Sequence, residues 1–411
     1  MAITAPIDAE LTAASFPRDP YPTYRRLREE DRVHWSEPWS QWLLSRYEDV
    51  IRVLREPETF GSAGWESRFL ERFPPSDRER LPNLVAHFRP AAFLSITDPP
   101  AHARMRRPVV RALTPRVIAS VAPYVERVID ELLDSAERAG RFDAIRQFGY
   151  PLPGSVITEM MGLPPEDRDR FMAWSEDVVD FVSTGAPSFE RALQAETSMA
   201  SIRSYLDTFI DTRRADPDDG IISLLVEAGD LTDRFSQEEL IATATAVVTA
   251  GHETTANLIG NGTLALLLYP DQLERLRADP ELAPTAVEEF LRYDAPLQRF
   301  RRVVRQDVEL HGRTVRTGQL VMAFGGSANR DPAVFTDPEA LDVGRVDNPH
   351  LAFGNGIHFC VGAALSRLEG RMVFERLPNR FPRLRLDPQA PPVWRRNIAF
   401  RGLDTLPVRV D

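Results

Sequence analysis

The spacing of hydrophobic and polar positions predicts a chain that is mainly helical. The longest helical pattern covers residues 236–269, where Ser236 and Glu239 have capping-box spacing at the start and Pro270 marks the end. At about 1.5 Å per residue such a helix is roughly 50 Å long. Because Ala, Val, Leu and Thr occupy nearly all of its faces, we expect it to run through the core.

A smaller β-rich portion is predicted nearer the C-terminus. Residues 303–324 have the pattern of strands separated by turns at Gly312 and Gly318. Further short strands are predicted at 383–386 and 406–410. The fold class expected from the pattern is therefore mainly α with a smaller β-rich portion.

The N-terminal part of the chain carries weaker patterns. A short helix is predicted over residues 24–30, a short strand over 41–45 and another helix from Glu48. Residues 60–95 are predicted to be irregular, because proline, glycine and aromatic residues are scattered through them. An irregular segment of that length inside a compact chain is usually functional.

Composition narrows the class of protein. The 411 residues are 43% hydrophobic, enough to bury a large core, and without a repeat or linker we expect a single domain over residues 1–411. The formal net charge of -11 argues against a nucleic-acid partner. All 50 basic residues are arginine, which excludes enzymes that need a Schiff-base lysine or a P-loop lysine.

No targeting or membrane pattern is found in the sequence. The N-terminus lacks the basic start and apolar run of a signal peptide or anchor. The apolar stretches elsewhere are interrupted by polar residues, so no segment is predicted to span a bilayer. We therefore expect a cytoplasmic protein with no membrane partner.

Cys360 is the only cysteine, so no intramolecular disulfide can form. Gly354, Gly356 and Gly362 bracket it, and a helical pattern begins directly after it. Free backbone N–H groups and the positive end of a helix dipole stabilise a thiolate at such a position. One interpretation is a buried thiol under a glycine-rich turn. The other is an ionised sulfur beside a flat or bulky group.

The spacing of Phe353, Gly356, Cys360 and Gly362 resembles F-x-x-G-x-x-x-C-x-G, the cysteine-loop signature of the cytochrome P450 family. The resemblance extends over nearly the full chain. It implies the cytochrome P450 fold, with haem b held between the long central helix and the helix after the cysteine. It also implies that Cys360 is the thiolate ligand of the haem iron, a ligand that favours O–O cleavage.

Other residues are expected at the haem because of the same resemblance. Within residues 98–107, His102 and Arg106 share a helix face at i, i+4 spacing and match residues that reach the haem propionates. Arg302 matches a further propionate ligand, with the adjacent Arg301 as the alternative, and His358 matches a propionate donor. The remaining expected haem-binding residues are Phe353, Gly354 and Ala250.

The segment A-G-H-E-T-T at residues 250–255 lies in the middle of the long helix. Gly251 and β-branched threonines weaken a helix interior. One interpretation is a salt bridge inside the helix bundle beside core threonines. The segment also resembles the P450 motif [AG]-G-x-[DE]-T-T, which implies that Thr254 holds the hydrogen-bond network of bound oxygen and that Glu253 connects it to solvent. These two are the expected catalytic residues.

Glu289 and Arg292 face each other at i, i+3 spacing, a pair that carries little information alone. Their position between the long helix and the cysteine loop resembles the E-x-x-R of cytochrome P450. Arg345 matches the third member of that buried cluster. The resemblance implies a structural role for all three.

The implied reaction inserts one oxygen atom of O2 into a small-to-medium hydrophobic substrate, aromatic ones included. Two electrons would come from an external ferredoxin and ferredoxin reductase. Arginines near residues 98–107, with Arg367 and Arg371, are candidates for docking an acidic ferredoxin, whereas Arg104 and Arg107 are interpreted as solvated. A peroxide-driven hydroxylase of the same fold and a non-catalytic haem- or ligand-binding protein are the alternatives.

The resemblance also indicates where substrate binds. The expected pocket segments are residues 88–94, 178–181, 247–250, 298–300 and 398–400. Their aromatic and apolar composition suits a hydrophobic molecule. One hypothesis is that Arg89 selects acids, and the alternative is that Arg89 is a surface residue.

Overall fold

The computed structural model describes residues 6–65, 67–89, 91–183, 188–231 and 235–411. Helices make up most of the described residues. They are α1 Ile7–Leu11, α2 Tyr21–Glu30, α3 Tyr47–Arg55, α4 Ser67–Leu70, α5 Pro75–Arg78, α6 Pro82–His87, α7 Ala101–Ala112, α8 Pro115–Ala139, α9 Pro151–Met161, α10 Arg168–Ser183, α11 Phe189–Ala215, α12 Ile221–Leu231, α13 Gln237–Leu268, α14 Pro270–Ala278, α15 Ala283–Tyr293, α16 Gly325–Ala328 and α17 Ala363–Arg380.

The strands are short and form small sheets. They are β1 Val33–Ser36, β2 Gln41–Leu44, β3 Phe60–Gly61, β4 Arg141–Asp143, β5 Phe300–Val304, β6 Val308–Leu310, β7 Arg313–Val315, β8 Leu320–Ala323, β9 Arg385–Leu386, β10 Val393–Trp394, β11 Leu403–Thr405 and β12 Pro407–Arg409. The largest sheet has the order β1-β2-β8-β5-β3. In it β5 runs antiparallel to β8, with Arg302 opposite Val321, and β2 runs parallel to β8.

The long helix predicted over residues 236–269 is confirmed as α13. Ser236 accepts a hydrogen bond from the Glu239 N–H, and the Glu239 carboxylate accepts one from the Ser236 N–H, so the predicted capping box is present. Most of its side chains are buried, and it packs against α9, α15 and α17. Burial on almost all sides is the reason that its sequence lacks a polar face.

Other elements differ from the predicted patterns at their edges. Residues 60–95 contain β3 and the short helices α4, α5 and α6, so the prediction of an irregular segment was wrong. Pro75 and Pro82 each lie at the first position of one of these helices, where proline is tolerated because the missing N–H has no helical partner. The strand predicted at 406–410 is the shorter β12, paired with β4 and β9.

Two apolar clusters flank the middle of α13. The larger extends through α8, α9 and α11, and the smaller joins α13 to α15 and α17. None of the described helices combines the length and the apolar character that crossing a bilayer requires. Near its middle α13 contacts α17, the helix that follows the Cys360 loop, where the Thr255 hydroxyl lies 3.3 Å from that of Ser366.

Candidate functional site

The loop before α17 has a backbone that only glycine tolerates at two points. Gly354 and Gly356 have φ values of 69° and 68°, in the left-handed region. A Cβ atom at Gly356 would overlap the carbonyl oxygen of Leu54 on α3. The Cys360 N–H donates to the Phe353 carbonyl at 3.0 Å, which closes the loop just before the helix.

Cys360 is exposed, although protein surrounds its sulfur closely. Burial raises the pKa of the Cys360 thiol, while the N–H groups of Gly362 and Ala363 and the guanidinium groups of Arg106 and Arg367 lower it, and the net direction is upward. The expectation that the loop alone ionises this sulfur was therefore wrong. A bound metal ion would reverse this direction, because metal coordination deprotonates a thiol outright.

Four basic side chains predicted to bind haem lie together beside the cysteine loop. The rings of His102 and His358 have centroids 4.5 Å apart. Burial, together with the neighbouring Arg302, His102 and Arg106, lowers the pKa of His358 to about 3. Arg106 donates to the Phe359 carbonyl at 2.7 Å. The structure thus brings together His102, Arg106, Arg302 and His358, which are distant in the sequence.

Two nitrogen atoms in this group have no hydrogen-bond partner. They are Nε2 of His102 and Nδ1 of His358, and both are buried. The other ring nitrogen of His358 lies 2.9 Å from the Ser62 hydroxyl. Buried polar atoms are usually paired, and the positive charges of Arg106 and Arg302 favour an anion. The donor set therefore fits the propionate carboxylates of a haem whose iron Cys360 would bind.

The adjacent Arg301 points elsewhere and does not replace Arg302. Its guanidinium carbon lies 4.9 Å from the centre of the Trp65 ring, a cation–π distance. Arg302 is buried and acts electrostatically on His358. Of the two tandem arginines, Arg302 is thus the one beside the histidines.

One stripe of the otherwise buried α13 is accessible. Ala250 is exposed in the middle of the helix, and Ala246 and Thr254, one turn to either side, are half-buried. Residues four apart share a helix face. A small alanine at the centre of this stripe leaves room for a flat group against the helix, as the resemblance implies for Ala250.

Glu253 is turned away from that stripe and is buried. Its carboxylate accepts hydrogen bonds from the Tyr150 hydroxyl at 2.6 Å, from the Asn257 amide at 3.0 Å and from the Arg395 guanidinium at 2.8 Å. Arg395 also lies 3.4 Å from Glu176 and 3.3 Å from Asp404, whose side chains are about half exposed. A chain of polar groups therefore leads from Glu253 to the surface.

Thr254 and Thr255 point in different directions. The Thr254 hydroxyl donates to the Ala250 carbonyl at 2.7 Å, which leaves its oxygen able to accept a hydrogen bond. The Thr255 hydroxyl lies 3.3 Å from that of Ser366 on α17. Only Thr254 borders the accessible stripe, which agrees with its selection as the oxygen-side threonine.

In the predicted charge cluster Glu289 and Arg292 are fully buried, and the Arg345 side chain is 11% exposed. Arg292 donates to both Glu289 oxygens at 2.7 and 2.8 Å, and Arg345 donates to Glu289 at 3.1 Å. Arg292 also bonds the carbonyls of Pro338 and Ala340. The cluster fixes the segment that leads into the loop, which is the expected structural role.

Two surface arginines behave differently from each other. Arg104 is paired with Glu239 at 2.5 Å, so its interpretation as solvated was wrong, and the pair ties α7 to the start of α13. Arg89 is exposed, and its electrostatic contact is with Glu239. That placement matches the surface alternative for Arg89. Pro90, within a predicted pocket segment, lies outside the described residues.

Sequence reasoning missed Ser62, Tyr150 and Arg395. Each comes from a segment more than 100 residues from its site partner and carries no local motif. The only signal for Arg395 was chemical: a buried Glu253 requires a cation or several donors.

Comparison with known proteins identifies the family. The family profile described as Cytochrome P450 matches residues 75–394. Cytochrome P450 107B1 of Saccharopolyspora erythraea is 40% identical over 400 residues, 96% of each chain. Vitamin D(3) 25-hydroxylase of Pseudonocardia autotrophica is 38% identical over 404 residues, 97% of this chain and 96% of the relative. The structure of P450BioI in complex with hexadec-9Z-enoic acid ligated acyl carrier protein matches with a TM-score of 0.88 at 32% identity, over 97% of this chain and 100% of the other.

The chain belongs to the cytochrome P450 family. Its fold is the cytochrome P450 fold, mainly α with a smaller β-rich portion. The protein is a monooxygenase and hence an oxidoreductase, and its relatives are bacterial. The family implies a haem cofactor, dioxygen and redox partners.

Proposed function

We propose that the protein inserts one atom of O2 into a small-to-medium hydrophobic substrate, aromatic ones included, with two electrons from an external ferredoxin and its reductase. The cofactor is haem b, and one haem domain spans residues 1–411. A cytoplasmic location stays a prediction. The observation that supports the proposal is that His102, Arg106, Arg302 and His358 lie together beside the Cys360 loop, with a buried ring nitrogen of each histidine unpaired.

Cys360, His102, Arg106, Arg302 and His358 would hold the haem. The cysteine would supply the thiolate. The charged Arg106 and Arg302 would neutralise the propionates, and ring N–H groups of His102 and His358 would hydrogen bond to them. Phe353, Gly354 and Ala250 would lie against the ring. When bound, the haem supplies oxygen activation, with the thiolate donating electron density that favours O–O cleavage.

Thr254 and Glu253 would handle protons. The Thr254 oxygen faces the accessible stripe and is able to accept a hydrogen bond while its own proton is held by the Ala250 carbonyl. The Glu253 carboxylate connects to half-exposed acids through Arg395. Arg395 is a donor only and keeps its protons, so it would hold Glu253 in place rather than relay a proton. A proton would pass from Glu253 toward Thr254 only when the Glu253 side chain rotates to the accessible stripe.

The face around the cysteine helix would dock the ferredoxin. The side chains of Arg367 and Arg371 on α17 are 40% and 47% exposed. Arg367 is also held by Glu288 at 2.7 Å, which orients it without burying it. An acidic ferredoxin would be attracted to this face, and its association rate would fall as salt is raised.

A reconstituted assay tests the proposal. Haem-loaded protein is supplied with a ferredoxin, ferredoxin reductase, NAD(P)H and hydrophobic compounds that produce a high-spin spectral shift, and products are identified by mass spectrometry. Oxygen from ¹⁸O2 should appear in the product. Turnover with peroxide but none with the ferredoxin system would favour a peroxide-driven hydroxylase, and turnover with neither would favour a non-catalytic binding protein.

A further inference from the structure

A cavity of about 330 Å³ lies beside the C-terminal half of α13. Its walls include Tyr21 of α2, Asn261 and Leu264 of α13 and Trp394 of β10. Leu268 also lines it and is exposed, so the cavity is open to solvent. Small-molecule sites have volumes of about 300–1,000 Å³, and about 150 Å³ is enough for benzene. The cavity therefore has room for a molecule of one or two rings.

The C-terminal segment of the chain separates this cavity from the residues expected at the haem. Asn261 lies seven residues beyond Thr254 on α13, which is about 10 Å along the helix axis. The Arg401 carbonyl accepts a hydrogen bond from the Asn261 amide at 3.0 Å. A Cβ atom built on Gly402 would overlap the Asn257 side chain, so the segment crosses α13 between the two places. A molecule in the cavity is therefore distinct from a substrate beside the accessible stripe.

The charged groups that line the cavity compensate one another. They are three arginines and three acids, Arg25, Arg330, Arg401, Asp19, Asp294 and Glu339. Arg330 lies 2.8 Å from Glu339, and Arg401 donates to Asp294. Equal numbers of opposite charges leave no net charge that would attract an ion. An ion would lose its hydration without gaining an opposite charge inside, so the lining favours an uncharged ligand.

The aromatic walls are held in place by the same arginines. The guanidinium carbon of Arg401 lies 3.8 Å from the centre of the Trp394 ring, and that of Arg330 lies 3.4 Å from the centre of the Tyr21 ring. Stacking of this kind fixes the orientation of a ring. Together with Leu264, the rings form a preformed apolar surface that suits a planar molecule.

The lining also offers one unpaired hydrogen-bond acceptor. The Asn261 amide nitrogen donates to the carbonyls of Asp294 and Arg401, both at 3.0 Å, which fixes the orientation of the amide. Its oxygen is buried and has no partner. A buried acceptor without a donor is costly. A ligand with an N–H or O–H group would supply that donor.

The cavity shares a structural element with Glu253. Strands β10 and β11 form a hairpin over residues 393–405, the C-terminal hairpin. Trp394 and Arg401 of this hairpin line the cavity. Arg395, next to Trp394, donates through its N–H to the Gly402 carbonyl at 3.1 Å and through its side chain to Glu253 at 2.8 Å. A molecule packed against Trp394 therefore stabilises the hairpin position in which Arg395 contacts Glu253.

We propose that this cavity is an effector site for a small uncharged aromatic molecule with an N–H or O–H donor, whose binding keeps Arg395 on Glu253. Glu253 must rotate to pass a proton toward Thr254, so such a molecule slows proton delivery. The binding site goes beyond the proposed monooxygenase function, whereas the effect on proton delivery rests on that function.

Calorimetry with indole as the probe tests the binding site. The haem-loaded protein is kept saturated with 4-phenylimidazole, so that the iron site is already occupied. Indole should bind about three- to ten-fold more tightly than 1-methylindole, which lacks the donor. Indole-3-acetate and tryptamine should bind about ten-fold more weakly than indole, because the lining gives their charges no unpaired partner. Asn261→Leu should bind indole and 1-methylindole equally.

Fluorine NMR locates the bound indole. The protein has six tryptophans and is labelled with 5-fluorotryptophan. The resonance that is missing in Trp394→Phe belongs to Trp394 and should move when indole is added. The control is Trp174, which lies in a separate groove along α10 and α11 and is assigned with Trp174→Phe. Its resonance should stay in place.

The link to Glu253 is tested by its reciprocal effect on affinity. If indole stabilises the contact between Arg395 and Glu253, loss of that contact must weaken indole binding by the same factor. Glu253→Gln should therefore raise the Kd of indole at least about three-fold. Glu176→Gln is the control, because Glu176 is 52% exposed and 3.4 Å from the same arginine. It should leave the Kd of indole unchanged.

Four results would overturn the inference: no heat from indole in wild type, equal affinity for indole and its charged analogues, movement of the Trp174 resonance instead of that of Trp394, or an unchanged Kd in Glu253→Gln. Neither measurement depends on oxygen activation. Any of these results beside a thiolate-type carbon monoxide spectrum rejects only the effector site. Loss of that spectrum in wild type rejects the monooxygenase, and the calorimetry and fluorine NMR still decide whether the cavity binds indole.

Discussion

The contact between Glu253 and Arg395 allows a quantitative test of the proton-path residues. The two side chains are 4% and 11% exposed, and the nitrogen–oxygen distance is 2.8 Å. Removing one partner of a buried pair typically costs about 3–5 kcal/mol, because the other charge is left without compensation. Tyr150 and Asn257 would still donate to Glu253, so we place the cost of Arg395→Gln near the lower end, about 3 kcal/mol.

The other partners of Arg395 contribute much less. Glu176 and Asp404 are 52% and 45% exposed, and exposed pairs are worth about 0–1 kcal/mol. Asp404→Asn is therefore the control and should cost no more than about 1 kcal/mol.

A double-mutant cycle isolates the pair. The free energy of unfolding of the haem-loaded protein is measured in urea by circular dichroism for Arg395→Gln, Glu253→Gln and the double variant. In the Glu253→Gln background no buried carboxylate is left without a cation. Arg395→Gln should therefore lower the free energy of unfolding by about 2–3 kcal/mol less than it does in wild type. Additive costs would refute the claim that Arg395 compensates Glu253.

Three further predictions concern the oxygen site, the cysteine loop and the response to acid. Thr254→Ala should lower product formed per electron consumed several-fold, measured as product against NAD(P)H, and unchanged coupling would reject its role. Gly356→Ala should lower the free energy of unfolding by at least about 2 kcal/mol and weaken haem retention, because φ is 68° and the added Cβ overlaps backbone. The control Gly312→Ala has φ of 77° but open space around the added Cβ, so it should lower the free energy of unfolding less. Equal losses for the two variants would contradict the steric argument. Burial lowers the pKa of His87 to about 3 and that of His252 to about 4, so both are neutral when folded, and the unfolded chain binds more protons below pH about 6.5. The free energy of unfolding should therefore fall as pH drops through 6.5, by about 2 kcal/mol per histidine at pH 5. In urea unfolding, His252→Gln should reduce the loss of stability between pH 7 and pH 5. An unchanged loss would contradict the claim that His252 destabilises the folded protein in acid.

Local patterns in the sequence were sufficient for elements with strong boundaries. Ser236, Glu239 and Pro270 predicted both ends of α13, and the glycine spacing around Cys360 predicted the loop and the following helix. These signals are short-range and depend on backbone geometry, which single residues specify.

Contacts between distant segments were not predictable in the same way. Arg395 reaches Glu253 across 142 residues, and its sequence neighbourhood differs little from other arginine-containing segments. Arg104 resembles a solvated residue in its own helix and becomes an ion-pair partner only because α13 starts beside it. Residues 60–95 were predicted to be irregular because their helices have only four to six residues, too few for a hydrophobic periodicity to be recognised.

The spectrum of the carbon monoxide complex tests the central claim, that Cys360 is the thiolate ligand of a haem iron. The purified protein is loaded with haem, reduced and exposed to carbon monoxide, and Cys360→Ala is treated in parallel. We predict the red-shifted Soret band of a thiolate-ligated haem for wild type and its absence in the variant. A wild-type protein that takes up no haem, or whose band lacks the red shift, would contradict the account.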